Sequence, residues 1–153
     1  MLSFFSAHAQ SQNPQEEIQT LVQRVDSLEH ELSYLKLTYE LNALNSEIKM
    51  FANEVYSRYI AIKSDLLNQN FDSQLGASYQ LYYETCQHQK QAISELIDAK
   101  KISFTLTIIT HPYSENELST LKSSSNLINS TYNSLEHSLK LLEITVNAYN
   151  ESL

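Results

Sequence analysis

Apolar positions form two stripes on one uninterrupted helix-forming stretch, and the stripes do not share a register. The first runs Ile18, Leu21, Val25, Leu28, Leu32, Leu35 and Tyr39, at alternating spacings of three and four. The second begins at Leu37 and continues through Leu41, Leu44, Ile48, Phe51 and Val55. Each spacing is that of a helix with one buried face. The step of two positions between them turns that face by roughly 200°, at about 100° per residue. One helix therefore serves two partners, one near its start and another further on.

Punctuation along the chain defines three helices. Residues 15–69 contain neither Gly nor Pro, which predicts a helix of about 55 residues extending roughly 80 Å. Asn68-Gln69-Asn70-Phe71-Asp72-Ser73 is the first turn, with Asn70 in the left-handed position that ends a helix and Asp72 capping the next. The second helix runs from about Ser73 to Thr110. At His111-Pro112-Tyr113-Ser114, Pro112 removes a hydrogen-bond donor and pushes His111 out of helical geometry. Ser114 and Glu117 then form a capping box. Beyond it Leu118, Leu121, Ile128, Leu135, Leu142 and Tyr149 mark a third, rod-like helix. Residues 102–108 alternate apolar and polar types in strand fashion and are rich in β-branched residues. A lone strand has no partner, so the segment is read as helix with Ile102, Leu106 and Ile109 in one stripe; strand is the alternative.

Lengths decide the architecture: all-α, an antiparallel three-helix bundle with an N-terminal coiled-coil extension of helix one. Residues 37–153 form the bundle, 15–36 project from it, and 1–14 are a signal-peptide remnant with a polar tail. Along the first stripe Ile18, Val25, Leu32 and Tyr39 take heptad position a, and Leu21, Leu28, Leu35 and Asn42 take d. Ile and Val at a with Leu at d favour a parallel dimer. In that dimer Arg24 meets Glu29 of the other copy and Glu31 meets Lys36. Val22 at an e position leaves a trimer open. Folding back onto the bundle, or docking on a different protein, are the competing uses of the segment.

Charge narrows the field. Eighteen acidic against ten basic residues give a net charge of −8. Nucleic acid and anionic membrane surfaces both call for clustered cations, and the adjacent pair Lys100-Lys101 is flanked by Asp98. No apolar run approaches the ~18 residues that cross a bilayer. Cys86 is the single cysteine, which excludes an internal disulfide and reads as a buried thiol. Phosphate loops, nucleophile elbows and His-Glu-x-x-His metal motifs are missing from the sequence. No enzyme, metal site or cofactor is expected. Ser-Leu-Glu-His occurs at 27–30 and again at 134–137, placing His30 and His137 at outward-facing f positions. His111, in the proline turn, is read as a solvated loop histidine. Of ten tyrosines, Tyr79, Tyr82 and Tyr83 open helix two, with Tyr56 and Tyr59 approaching from helix one. They are a candidate binding surface, or a core edge with hydroxyls reaching water.

The first ten residues end in Ala7-His8-Ala9-Gln10, a small-x-small cleavage pattern without the usual basic start. A cytosolic tail is the competing reading. That ending, with the heptad texture, resembles uncharacterised exported coiled-coil and helical-bundle proteins of the Bacteroidota. The resemblance implies periplasmic or secreted localisation and carries no activity or site. The expected function is a non-enzymatic exported scaffold or adaptor that self-associates through its N-terminal coiled coil. The alternative is a bundle that binds a hydrophobic ligand or membrane lipid.

Overall fold

The computed structural model describes residues 13–153; the cleavage-like pattern at 7–10 lies outside them. Three helices follow in order: α1 Pro14–Leu67, α2 Ser73–Thr110 and α3 Glu115–Glu151. Residues 102–110 are helical, as a chain offering them no strand partner requires. α1 is unbroken through both stripes and, at 54 residues, extends about 80 Å.

Each helix end has a chemical cause. Asn13 caps α1, its side chain accepting from Gln15 N–H, with Pro14 in the first turn, where a missing donor costs nothing. Asp72 caps α2 by accepting from Gln74 and Leu75 N–H at 2.7 and 2.9 Å. Ser114 and Glu117 cap α3 reciprocally, as their spacing predicts. The end of α1 differs from expectation by one residue. Gln69, rather than Asn70, takes the left-handed backbone, with φ of 55°. Asn70 N–H reaches back to Asp65 C=O while Gln69 N–H reaches Leu66 C=O. That pair of bonds is the Schellman arrangement, which fixes the left-handed residue at the inner of its two donors.

The chain runs up, down and up, so α1 and α3 are parallel and α2 is antiparallel to both. α1 and α3 share the main packing interface, α2 packs on α3, and α1 and α2 meet at few points. Two hydrogen-bonded contacts set the register of α1 on α3: His30 with Glu117, and Thr131 donating to Asn45. Their sequence separations, 87 and 86, nearly agree, so the two helices run in step with little relative tilt. That register places Ile48 level with Leu135, Val55 with Leu142, and Ile62 with Tyr149, and all six are fully buried. A repeat of seven residues on both helices keeps the seam closed if they supercoil gently left-handed.

At the far end Tyr149 ties the turn to the core. Its hydroxyl donates to Asn70 C=O at 2.7 Å and accepts from Asp72 N–H at 3.0 Å. Tyr79 packs edge-on against its ring at 5.1 Å. Gly76, the only glycine, lies where α2 packs against the last turns of α3. A Cβ there would stand 2.5 Å from Asn150 Oδ1 and 2.7 Å from Leu153 Cδ1.

Two stability outcomes follow from this corner. Tyr149→Phe removes both part-buried hydrogen bonds to the turn and is expected to cost about 0.5–1.5 kcal/mol. The urea midpoint should fall with its slope unchanged; an unaltered midpoint contradicts the tie. Gln69→Gly relieves a left-handed side chain and is expected to stabilise the fold by roughly 0.5–1 kcal/mol, with a higher urea midpoint.

Candidate functional site

Every residue from 13 to 29 is exposed, so the first two heptads of α1 stand clear of the bundle. Ile18, Leu21, Val25, Leu28, Leu32, Leu35 and Tyr39 are all 51 to 75 % exposed. Leu37, Leu41, Leu44 and Ile48, on the second stripe, are at most 5 % exposed. The two stripes thus point opposite ways from one rod, and between residues 30 and 41 they coexist on the same turns. Arg24, Glu29, Glu31 and Lys36 flank the outer stripe, and among the described residues none of them forms an ion pair.

The bundle begins higher on α1 than a boundary at residue 37 implies. His30, Ser33 and Tyr34 are already half-buried, about two turns nearer the N-terminus. His30 is therefore not outward-facing. Its Nε2 lies 3.2 Å from Glu117 Oε1 and its ring 5.2 Å from that of Tyr113. Ser33 Oγ shares a 2.7 Å hydrogen bond with the Tyr113 hydroxyl. The f position is opposite a first-stripe seam, and a face roughly 200° from that seam is the one turned toward α3. His137 is exposed. His111 stacks on Tyr113, ring centroids 5.9 Å apart.

Charges lock this end of the bundle. Lys100 Nζ donates to Glu40 Oε2 at 2.6 Å across α2 and α1, and that bond holds the Glu40 carboxyl below its ordinary value. The Ser114 backbone N–H, donating at 2.8 Å, is the main cause of a similar lowering at Glu117, with His30 contributing less.

The five tyrosines do not converge on one cavity. Tyr79 is buried and donates to Asp65 Oδ2 at 2.5 Å; burial first, then that bond, pushes its pKa up to about 12. Tyr82 turns toward α1, its hydroxyl 3.5 Å from Glu54 and Arg58 lying over its ring at 5.2 Å. Tyr83 accepts from Gln87 and faces Glu143 of α3. Tyr56 and Tyr59 pair with each other on α1, centroids 5.5 Å apart. Cys86 is buried and its thiol pKa is raised by that burial, the state of an unreactive core sulfur. Among the described residues no three His, Cys, Asp or Glu side chains gather as metal ligands, and no helix is long and apolar enough to cross a membrane.

No protein-family model, no curated protein and no solved structure matches the chain. Its candidate site is therefore defined by its own geometry: the outer face of α1.

Acid should loosen the upper end first. Glu40 and Glu117 have depressed pKa values, so their contribution is complete above the unfolded value near ~4.3 and lost as pH falls through the folded one. The double variant Glu40→Gln/Glu117→Gln is expected to have a lower urea midpoint than the parent at pH 7.5 (roughly three units above that value). The two midpoints should converge as pH falls through the lowered folded values. A gap that persists in acid contradicts the linkage.

Proposed function

We propose that the chain is a non-enzymatic helical scaffold or adaptor, exported from the cell, that self-associates through residues 18–39 of α1 as a parallel coiled coil. One observation carries the reading. Seven large apolar side chains at 3-4 spacing remain half or more exposed on the face of α1 turned away from its own bundle. Exposed apolar stripes of this size mark interaction sites. Burying each is worth on the order of 1–2 kcal/mol. Over both chains of a dimer that matches or exceeds an association cost of about 4–15 kcal/mol. Ile18 and Val25 at a, with Leu21 and Leu28 at d, favour two parallel strands. Arg24 with Glu29, and Glu31 with Lys36, then pair across the interface at about 0.3–0.5 kcal/mol each, enough to bias orientation. The Ala7-His8-Ala9-Gln10 ending supports export.

Light scattering tests the assembly. The full chain is expected at twice its 17.6 kDa mass, and Leu21→Glu/Leu28→Glu at the monomer mass with unchanged helicity. Three times that mass means the trimer that Val22 permits. Leu28→Cys should oxidise to an interchain disulfide in a parallel dimer, since d positions face their own copies; Cys86, 1 % exposed, does not compete. A parent chain that is monomeric at tens of micromolar (well above the ~1 μM typical of a −8 kcal/mol complex) removes the assembly.

A further inference from the structure

α1 and α2 both lie along α3 but meet each other at few points, and the space between them is an open groove on the side of the bundle. The Glu40–Lys100 ion pair bridges α1 and α2 about two turns beyond one end, and Tyr82 with Glu54 and Arg58 bridges them at the other. The α1 wall of the opening runs from Glu47 to Glu54, about 10 Å or two turns of helix. Phe51 and Ile93, half-buried against the core, form the floor, and Met50, 73 % exposed, stands over it beside Ala92. Glu47 and Glu54 sit on the α1 rim, one heptad or about 10 Å apart. Neither forms an ion pair among the described residues.

We propose that this groove is the docking site for an amphipathic helix of another protein, carrying Lys or Arg at heptad spacing on one flank of its apolar stripe. Three helices with an opening between two of them offer a seat for a fourth, and a helix laid across it covers Phe51, Ile93 and Met50 while its cations reach Glu47 and Glu54. Charge selects the occupant. The chain's own protruding segment bears Glu16, Glu17, Asp26, Glu29 and Glu31 against Arg24 and Lys36, so the acidic rim repels that segment of a second copy. Anionic lipid is repelled likewise, and a groove open along its side does not enclose an acyl chain. This partner rests on the adaptor half of the proposed function and not on self-association, because the groove lies wholly within the bundle.

The probe is a fluorescent Leu/Lys amphipathic peptide of about 14–18 residues, long enough to span roughly 21–27 Å, with a Leu/Glu counterpart; anisotropy is read against the full chain. The Leu/Lys peptide should bind and the Leu/Glu peptide should not. Glu47→Lys/Glu54→Lys should weaken binding about tenfold or more, while Glu16→Lys/Glu17→Lys, the same charge change on the protruding segment, should alter it by less than about twofold. Met50→Asp should also weaken it. The monomeric Leu21→Glu/Leu28→Glu chain should keep the affinity, so loss of assembly and loss of docking are separate results. The proposal is overturned by no binding, or by equal weakening in both lysine pairs, which means bulk charge alone. It is equally overturned if Glu47→Lys/Glu54→Lys changes the chain's own mass, or if phosphatidylglycerol vesicles bind the chain and compete with the peptide.

Discussion

The in-step seam between α1 and α3 is the constraint from which the rest of the molecule follows. Parallel helices of one chain cannot be joined by a short turn, so α2 exists to return the chain, and its length is set by the distance between the two ends of that seam. The layers Ile48–Leu135, Val55–Leu142 and Ile62–Tyr149 recur every seven residues with no exposure at all. Such aliphatic burial, at about 1.5–3 kcal/mol per side chain, outweighs anything the surface ion pairs supply. Tyr149 shows how the seam reaches the connections: the same side chain that fills its last layer holds both the carbonyl of Asn70 and the amide of Asp72. A hydroxyl inside an otherwise apolar layer is tolerable because both of its hydrogen-bonding roles are met there.

Because α3 carries the seam with α1, α2 is left as the more lightly held member. It contributes Tyr79, Cys86 and Ile97 to the core, with Ile93, Phe104 and Ile108 half-buried against it, and is also held by polar contacts: Lys100 to Glu40, Lys90 to Glu136, and Tyr82 beside Glu54 and Arg58. Its outer face at Ile102, Leu106 and Ile109 stays exposed. This unequal division of packing keeps α1 and α2 apart and leaves the groove at Phe51 and Ile93 open.

Much of this was legible in the residue pattern because the signals were local. Asp72, Pro112 and the Ser114–Glu117 pair act within four residues of their own position, so the helix boundaries could be read directly. The two seams were legible because periodicity sums over many turns. What escaped depended on relations between helices or on competition within a turn. His30 looked solvent-facing when only the first seam was considered; its burial against Glu117 and Tyr113 reflects the second seam, whose influence begins two turns before its first leucine. Asn70 was the better left-handed residue by type, yet the geometry of the paired 65–70 and 66–69 hydrogen bonds placed Gln69 there. The tyrosines of α2 are close in sequence, but steps of about 100° send Tyr82 toward α1 and Tyr83 toward α3. The groove was invisible because no single-helix pattern encodes how unevenly three helices share their contacts.

The turns between residues 30 and 41 are where the two roles of α1 meet. There Leu32, Leu35 and Tyr39 face water while Ser33, Tyr34, Leu37 and Leu41 face α3 or the core. An isolated helix protruding from a bundle frays, since helix formation is cooperative and its free end lacks tertiary support. Here the protrusion begins on turns already fixed from the opposite side by His30, Ser33 and Tyr113, so the outer stripe is held helical at its base before any partner arrives. A partner seated on Leu32, Leu35 and Tyr39 would find the backbone pre-ordered, which lowers the entropic cost of binding. The same arrangement separates the two surfaces physically: the outer stripe opposes the core across one helix diameter, and covering it displaces none of the side chains that close the seam with α3.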